Sequence, residues 1–184
     1  MKKILFILPV LFLFGCGPDD PRVEERTADE IYNQAVEYAD DTNWNASAIE
    51  FIEIERQHPE SELAAQGMIM AGYVYFKGDK HVDAVQTIDH FLRLHPSHKN
   101  VDYALYLKSM IYYDQISDVR REQIATVEAL KTMLLLEEKF PESAYAKNVK
   151  AKIVMLKNYL AGKEMFIARK LMKEVLCDLR RFLE

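Results

Sequence analysis

Glu60–Ser61 and Glu142–Ser143 twice set a carboxylic acid beside a hydroxyl, in QHPES at 57–61 and KFPES at 139–143, 82 residues apart. A glutamic acid held against a scissile bond is the working part of a glycosidase, so murein cleavage is the first chemistry these pairs could serve. A second candidate set is His81, His90, His95 and His98, since imidazole is the commonest transition-metal ligand. HPSH places two of them three residues apart, but no Cys or carboxylate completes a metal-ligand pattern around them. No Gly-rich phosphate loop occurs, and no nucleophile, base and orienter form a recognisable set. The sequence therefore predicts no metal and no cofactor, and the Glu–Ser pairs must be judged by the elements that position them.

Those elements are helices. The 184 residues are 49% hydrophobic and 29% charged, the composition of a globular chain, and contain only six Gly and six Pro. So few turn formers, with Ala, Leu, Glu, Lys and Met abundant and no sustained apolar–polar alternation, predict an all-α fold with short connections.

The prolines expose a repeat. Pro59 and Pro96 lie 37 apart, Pro96 and Pro141 45 apart. Reading back from each with the tetratricopeptide pattern of about 34 residues puts small residues where two helices cross and aromatics beside them. Ala35, Tyr38, Ser47 and Phe51 occupy those slots in the first unit, Gly72, Tyr75, Ala84 and Ile88 in the second, and Ser109, Tyr112, Ala129 and Met133 in the third. The eight extra residues of unit three fall between its helices, near DQISDVRREQIA. Proline ends each second helix because it cannot continue the hydrogen-bond ladder, and Ser61 and Ser143 suit the N-cap of the next. Glu60 and Glu142 thus share one phase of a structural repeat, which reads as a turn signature and not an active site.

Stacked helix pairs make a curved solenoid whose inner wall is formed by the first helix of each pair. At about 100° per residue, repeat positions 2, 5, 9, 12 and 13 should line that wall. They include Tyr32 in unit one, Tyr73 and Phe76 in unit two, and Tyr103, Tyr106 and Tyr113 in unit three. Aromatic faces with polar tips suit an extended apolar peptide, and these six form the expected groove, the alternative being inter-repeat core.

The chain opens with MKKILFILPVLFLFGC, two lysines before an apolar run too short for the roughly 20 residues of a spanning helix, so it reads as a secretory signal. It resembles the bacterial lipobox, which implies acylation of Cys16 as the first mature residue and a palmitate-bearing membrane anchor. Gly17, where Asp would retain an inner-membrane lipoprotein, implies the outer membrane. Cys177 is then left without an intramolecular partner and reads as a small apolar helix residue, with an intermolecular disulfide as the alternative. The net charge of −5 is unevenly placed: residues 17–62 carry −11 and residues 147–184 carry +6. The acidic first half would repel nucleic acid and an exported protein seldom meets it, so no nucleic-acid partner is expected. The predicted organisation is a signal peptide over 1–15, a lipidated linker over 16–27 and a helical domain over 28–184. Repeats fall at about 28–61, 62–98 and 99–143, followed by C-terminal helices over 144–184.

AVQTIDHFLRLHPSHKNVDYALYLKSM (Ala84 to Met110) resembles the outer-membrane β-barrel assembly lipoprotein family, BamD or ComL, in which an FLRLHP segment leads into H and then DYALY. DVRREQIAT (Asp118 to Thr126) resembles that family's insertion; FPESAYA (Phe140 to Ala146), LKNYLAGKE (Leu156 to Glu164) and Asn43–Trp44 continue the likeness from about Ala28 to Ala168. The resemblance implies a non-enzymatic tetratricopeptide lipoprotein on the periplasmic face of the outer membrane. Its implied partners are the barrel insertase, through periplasmic POTRA domains, other assembly lipoproteins, and nascent outer-membrane proteins. After EMFIARK the family continues with further proline-ended repeats, whereas here LMKEVLCDLRRFLE follows, so the chain reads as shortened at its C-terminus. Ile167, Leu171, Val175, Leu179 and Phe182 make an amphipathic stripe by which this tail could cap the solenoid. The family's insertase contacts lie largely in the later repeats, which puts that docking in doubt for this chain. Other classes left open are a repeat scaffold for cell-wall or pilus machinery and a murein-cleaving enzyme.

Overall fold

A computed structural model of the chain describes residues 26–116 and 123–183. Among them are α1 (Ala28–Asp40), α2 (Trp44–Gln57), α3 (Glu62–Lys77), α4 (His81–Leu94), α5 (Val101–Asp114), α6 (Gln123–Lys139) and α7 (Ala144–Leu183), with no strand. The signal segment, Cys16 and Asp118 to Glu122 of the insertion lie outside the described residues.

The helix boundaries follow from local chemistry. Thr27 and Glu30 start α1 with a reciprocal capping box: the Glu30 amide donates to Thr27 Oγ1 (3.2 Å) and the Thr27 amide to Glu30 Oε2 (2.8 Å). Hydrogen bonding from the Thr27 N–H, and then from the Thr27 side chain, holds the Glu30 carboxyl below its usual range. Each helix before a proline ends alike. The amides of His58, His95 and Phe140 donate to Ile54, Phe91 and Leu136 carbonyls at 2.8, 2.8 and 3.0 Å. Ser61, His98 and Ser143 then donate back to His58, His95 and Phe140 at 2.9, 3.1 and 3.0 Å, closing the same turn three times. Between the helices of the first two pairs, the chain turns through a left-handed residue, Thr42 (φ 58°) or Asp79 (φ 62°). The following amides of Asn43 and Lys80 reach back to Tyr38 and Tyr75 carbonyls (2.8 and 2.9 Å), a Schellman closure that satisfies the helix C-terminus.

Each helix packs on its neighbours in sequence. In addition α1 touches α3, α3 touches α5 and α5 touches α7, whereas α2, α4 and α6 do not touch one another. The first helices of the pairs therefore form the tight inner row of a solenoid and the second helices its splayed outer row. The small residues sit at the crossings: Ala35, Ser47, Ala84, Ser109 and Ala129 are wholly buried, beside buried Phe51, Ile88 and Met133. Tyr73 and Tyr75 pack against both core clusters, joining unit one to units two and three.

Two details differ from the sequence expectation. The C-terminal region is a single helix of 40 residues, because no proline follows Pro141 and Gly162 alone does not break it. Nor does its tail cap the solenoid. Val149, Ile153 and Leu156 are buried, but from Glu164 to Phe182 every residue is exposed, Cys177 included.

Candidate functional site

In the inner row α3 carries Tyr73 and Phe76 and α5 carries Tyr103 and Tyr106, each pair three residues apart and so on one face of its helix. The structure divides the six expected groove residues into three settings. Tyr73, Tyr103 and Tyr106 come together, and Tyr145 joins them from the first turn of α7, its ring 5.3 Å from Tyr103 and 5.1 Å from Tyr106. All four rings are half-buried. Burial, then the neighbouring hydroxyls of Tyr145, Tyr73 and Tyr106, push the Tyr103 phenol upward, so it stays a neutral hydrogen-bonding group.

Tyr32 is tied down separately. Its ring meets Phe51 edge-on at 5.3 Å and its hydroxyl accepts from Gln66 Nε2 at 3.1 Å. Phe76 lies against His81 (5.8 Å) at the far end of α3, and the Tyr113 hydroxyl reaches Met155 Sδ at 3.9 Å. The cluster around Tyr103 is thus the continuous aromatic surface, and its flanks are occupied by intramolecular packing.

Tyr145 lies outside the five groove positions read from the repeat: the first of them falls seven residues after the proline, as from Pro59 to Gln66 and Pro96 to Tyr103, whereas Tyr145 is only four after Pro141. Its placement depends on Ser143. That hydroxyl donates to Asp102 Oδ2 at 2.6 Å and accepts from the Tyr145 amide at 3.2 Å, while the Tyr103 amide donates to Asp102 Oδ1 at 2.7 Å. One carboxylate therefore fixes the starts of α5 and α7 side by side and brings their tyrosines into contact.

The same bonds answer the question raised by the Glu–Ser pairs. Ser143 is committed to Asp102 and to its helix, and Ser61 accepts from the Leu63 amide at 3.2 Å at the start of α3. Glu60 is exposed, and Glu142 faces Lys147 Nζ at 3.3 Å in solvent. Burial, then the charges of His95 and Lys99, lower the His98 pKa; the rings of His95 and His98 pack on Phe91 at 5.6 and 5.5 Å. The histidine that does meet carboxylates is His81. Its Nε2 lies 3.1 Å from Asp114 Oδ2 and its Nδ1 3.6 Å from Asp79 Oδ1, linking unit two to unit three. Asp79 is two residues from His81 in the sequence, but Asp114 is 33 away and only the stacking of repeats brings it to the same ring, so no such grouping was legible.

The sequence comparisons agree with this architecture. The first tetratricopeptide domain of Spaghetti (RPAP3), solved with the HSP90 peptide SRMEEVD, superimposes with a TM-score of 0.54 at 14% identity, covering 76% of this chain and 97% of that one. The outer membrane protein assembly factor BamD of Caulobacter vibrioides is 37% identical over 161 residues, 86% of this chain and 53% of that protein. BamD of Rickettsia prowazekii is 35% identical over 78% of this chain and 57% of its own length. BamD of Neisseria meningitidis serogroup B is 30% identical over 94% of this chain and 71% of its own. The chain thus spans little more than half the length of the first two relatives. With the model of the YfiO family, outer membrane lipoprotein, matching residues 24–175, the chain belongs to that family.

Proposed function

We propose that this chain is a protein-binding scaffold in the assembly of outer-membrane β-barrel proteins, held by an acylated Cys16 on the periplasmic face of the outer membrane. The observation that carries this reading is the half-buried cluster of Tyr73, Tyr103, Tyr106 and Tyr145 on the inner row. Four rigid rings offer large apolar area at small entropic cost, and their hydroxyls suit the backbone of an extended segment. An aromatic-ended strand of an unfolded barrel protein has that complementary chemistry. The relatives' name, outer membrane protein assembly factor, supports the same role, and no helix among the described residues is long and apolar enough to cross a membrane, which fits attachment by lipid. The insertase's POTRA domains are the proposed larger partner.

Fluorescence anisotropy with a peptide from the last strand of a barrel protein tests the groove. Tyr106→Ala with Tyr145→Ala is expected to weaken binding at least tenfold, since each buried aromatic anchor contributes about 1 kcal/mol or more. Unchanged affinity in a folded double variant overturns the groove, and an insertase absent from proteins captured in detergent overturns the larger role.

A further inference from the structure

The exposed half of α7 carries an order that its solvent setting does not require. Asn158, Ala161, Met165, Ala168, Met172, Val175, Leu179 and Phe182 recur at alternating steps of three and four, and all are exposed. A sustained 3.5-residue spacing makes a straight seam along a helix and is the pattern by which two helices supercoil, with these residues at the a and d positions. Met172, Val175, Leu179 and Phe182 are 65%, 58%, 54% and 89% exposed, a continuous apolar strip that none of the described residues covers.

Charge selects the partner and its direction. In a parallel, in-register pair, each g residue meets the e residue five positions further along the other helix. Glu164 would then meet Arg169 of a second copy, twice by symmetry, and Leu171 would meet Leu176. An antiparallel pair centred on Leu171 would instead set Glu164 against Asp178, two acids. Within α7, Lys170 pairs with Glu174 (4.0 Å) on the outward side and Arg181 with Asp178 (3.7 Å) beside the seam, whereas neither Glu164 nor Arg169 joins an ion pair among the described residues. Asn158 falls at an a position, where a buried amide favours pairing in register between two parallel helices.

We propose that the tail of α7 is a self-association surface, on which a second copy of this chain docks in a parallel two-stranded coiled coil running from Asn158 to Phe182. A two-fold axis along the seam keeps both solenoids at one end, so that two chains present their inner rows side by side. This does not depend on the ligand of the aromatic cluster.

The test uses the whole chain in mild detergent, by sedimentation equilibrium at micromolar concentration and by thiol cross-linking. Val175→Cys with Cys177→Ser, a seam position, is expected to form a disulfide-linked dimer. Lys173→Cys with Cys177→Ser, on the opposite side, is expected to form little. Glu164→Arg or Arg169→Glu alone should weaken the dimer roughly fivefold to tenfold, and the two together should restore it. A monomeric wild-type chain with intact helical circular dichroism overturns the proposal, as does equal cross-linking at both positions. So does flotation on anionic vesicles without any dimer, which would give the strip to a membrane surface instead.

Discussion

The Ser47 hydroxyl donates to the Ala35 carbonyl at 2.7 Å, with both residues wholly buried where α1 crosses α2. The small repeat position thus does two jobs in unit one: it lets the helices approach, and it ties one backbone to the other. Ser47→Ala keeps the close approach and removes only the bond, and should cost about 1 kcal/mol in urea unfolding. Ser47→Val adds bulk at the crossing and should cost about 2 to 3 kcal/mol. Equal losses from both would mean that the added bulk costs nothing and that the hydrogen bond accounts for the whole effect.

Three helical glycines separate packing from propensity. A Cβ on Gly67 would lie 2.8 Å from the Phe51 carbonyl oxygen, a backbone atom that cannot yield. On Gly72 it would meet Ile88 Cδ1 at 2.5 Å, the mobile end of a side chain, and on Gly162 nothing within 4 Å. Alanine is worth about 0.5 to 1 kcal/mol over glycine inside a helix. Gly162→Ala should therefore raise thermal stability of α7, and Gly67→Ala should lower that of the fold by about 2 kcal/mol. Gly72→Ala should be intermediate and improve when paired with Ile88→Val. A Gly67→Ala protein as stable as wild type would show that α2 and α3 can separate freely.

Periodicity made the core legible, and did less for the aromatic face. The small and bulky repeat positions Ala35, Phe51, Ala84, Ile88, Ala129 and Met133 could be indexed from proline spacing because packing imposes residue size directly on the sequence. Gly67 escaped that index, although Phe51 leaves no room for a side chain there, because its contact belongs to the crossing of two units. Tyr145 escaped because a serine and an aspartate 41 residues apart place it, and no repeat register encodes such a bond. Phe76 was indexed to the groove by angle alone, yet lies against His81 at the turn, since helical phase says nothing about where along the axis a ring will rest.

His98 gives a pH dependence with a definite sign. Burial, and then the positive charges of His95 and Lys99, lower its pKa below the ordinary imidazole value of 6.5. The unfolded chain therefore takes up this proton first as the pH falls. The stability it contributes is full above about 6.5, declines as pH falls through that value, and levels once the folded form is protonated too. His98→Asn should flatten the fall in urea midpoint between pH 7.5 and 5.5. A slope identical to wild type would place the acid sensitivity elsewhere.

Thr42 and Asp79 occupy the same left-handed position in successive repeats, at φ 58° and 62°, but not at the same cost. Aspartate tolerates this region because its short polar side chain bonds locally, whereas the branched Cβ of threonine crowds the backbone carbonyl. The strain at Thr42 is retained because the turn is over-determined: its amide donates to Ala39 (3.0 Å) and that of Asn43 to Tyr38 (2.8 Å). Replacing Thr42 by Gly or Asn removes the crowding and keeps both bonds, and should stabilise the protein by about 1 kcal/mol, despite the added freedom of a glycine when unfolded. Asp79→Gly should gain nothing, and it also detaches a carboxylate from His81 Nδ1 at 3.6 Å. Parallel thermal melts decide the matter: if Thr42→Gly is no more stable than wild type while Asp79→Gly is, then the turn of unit one carries no strain and that of unit two does.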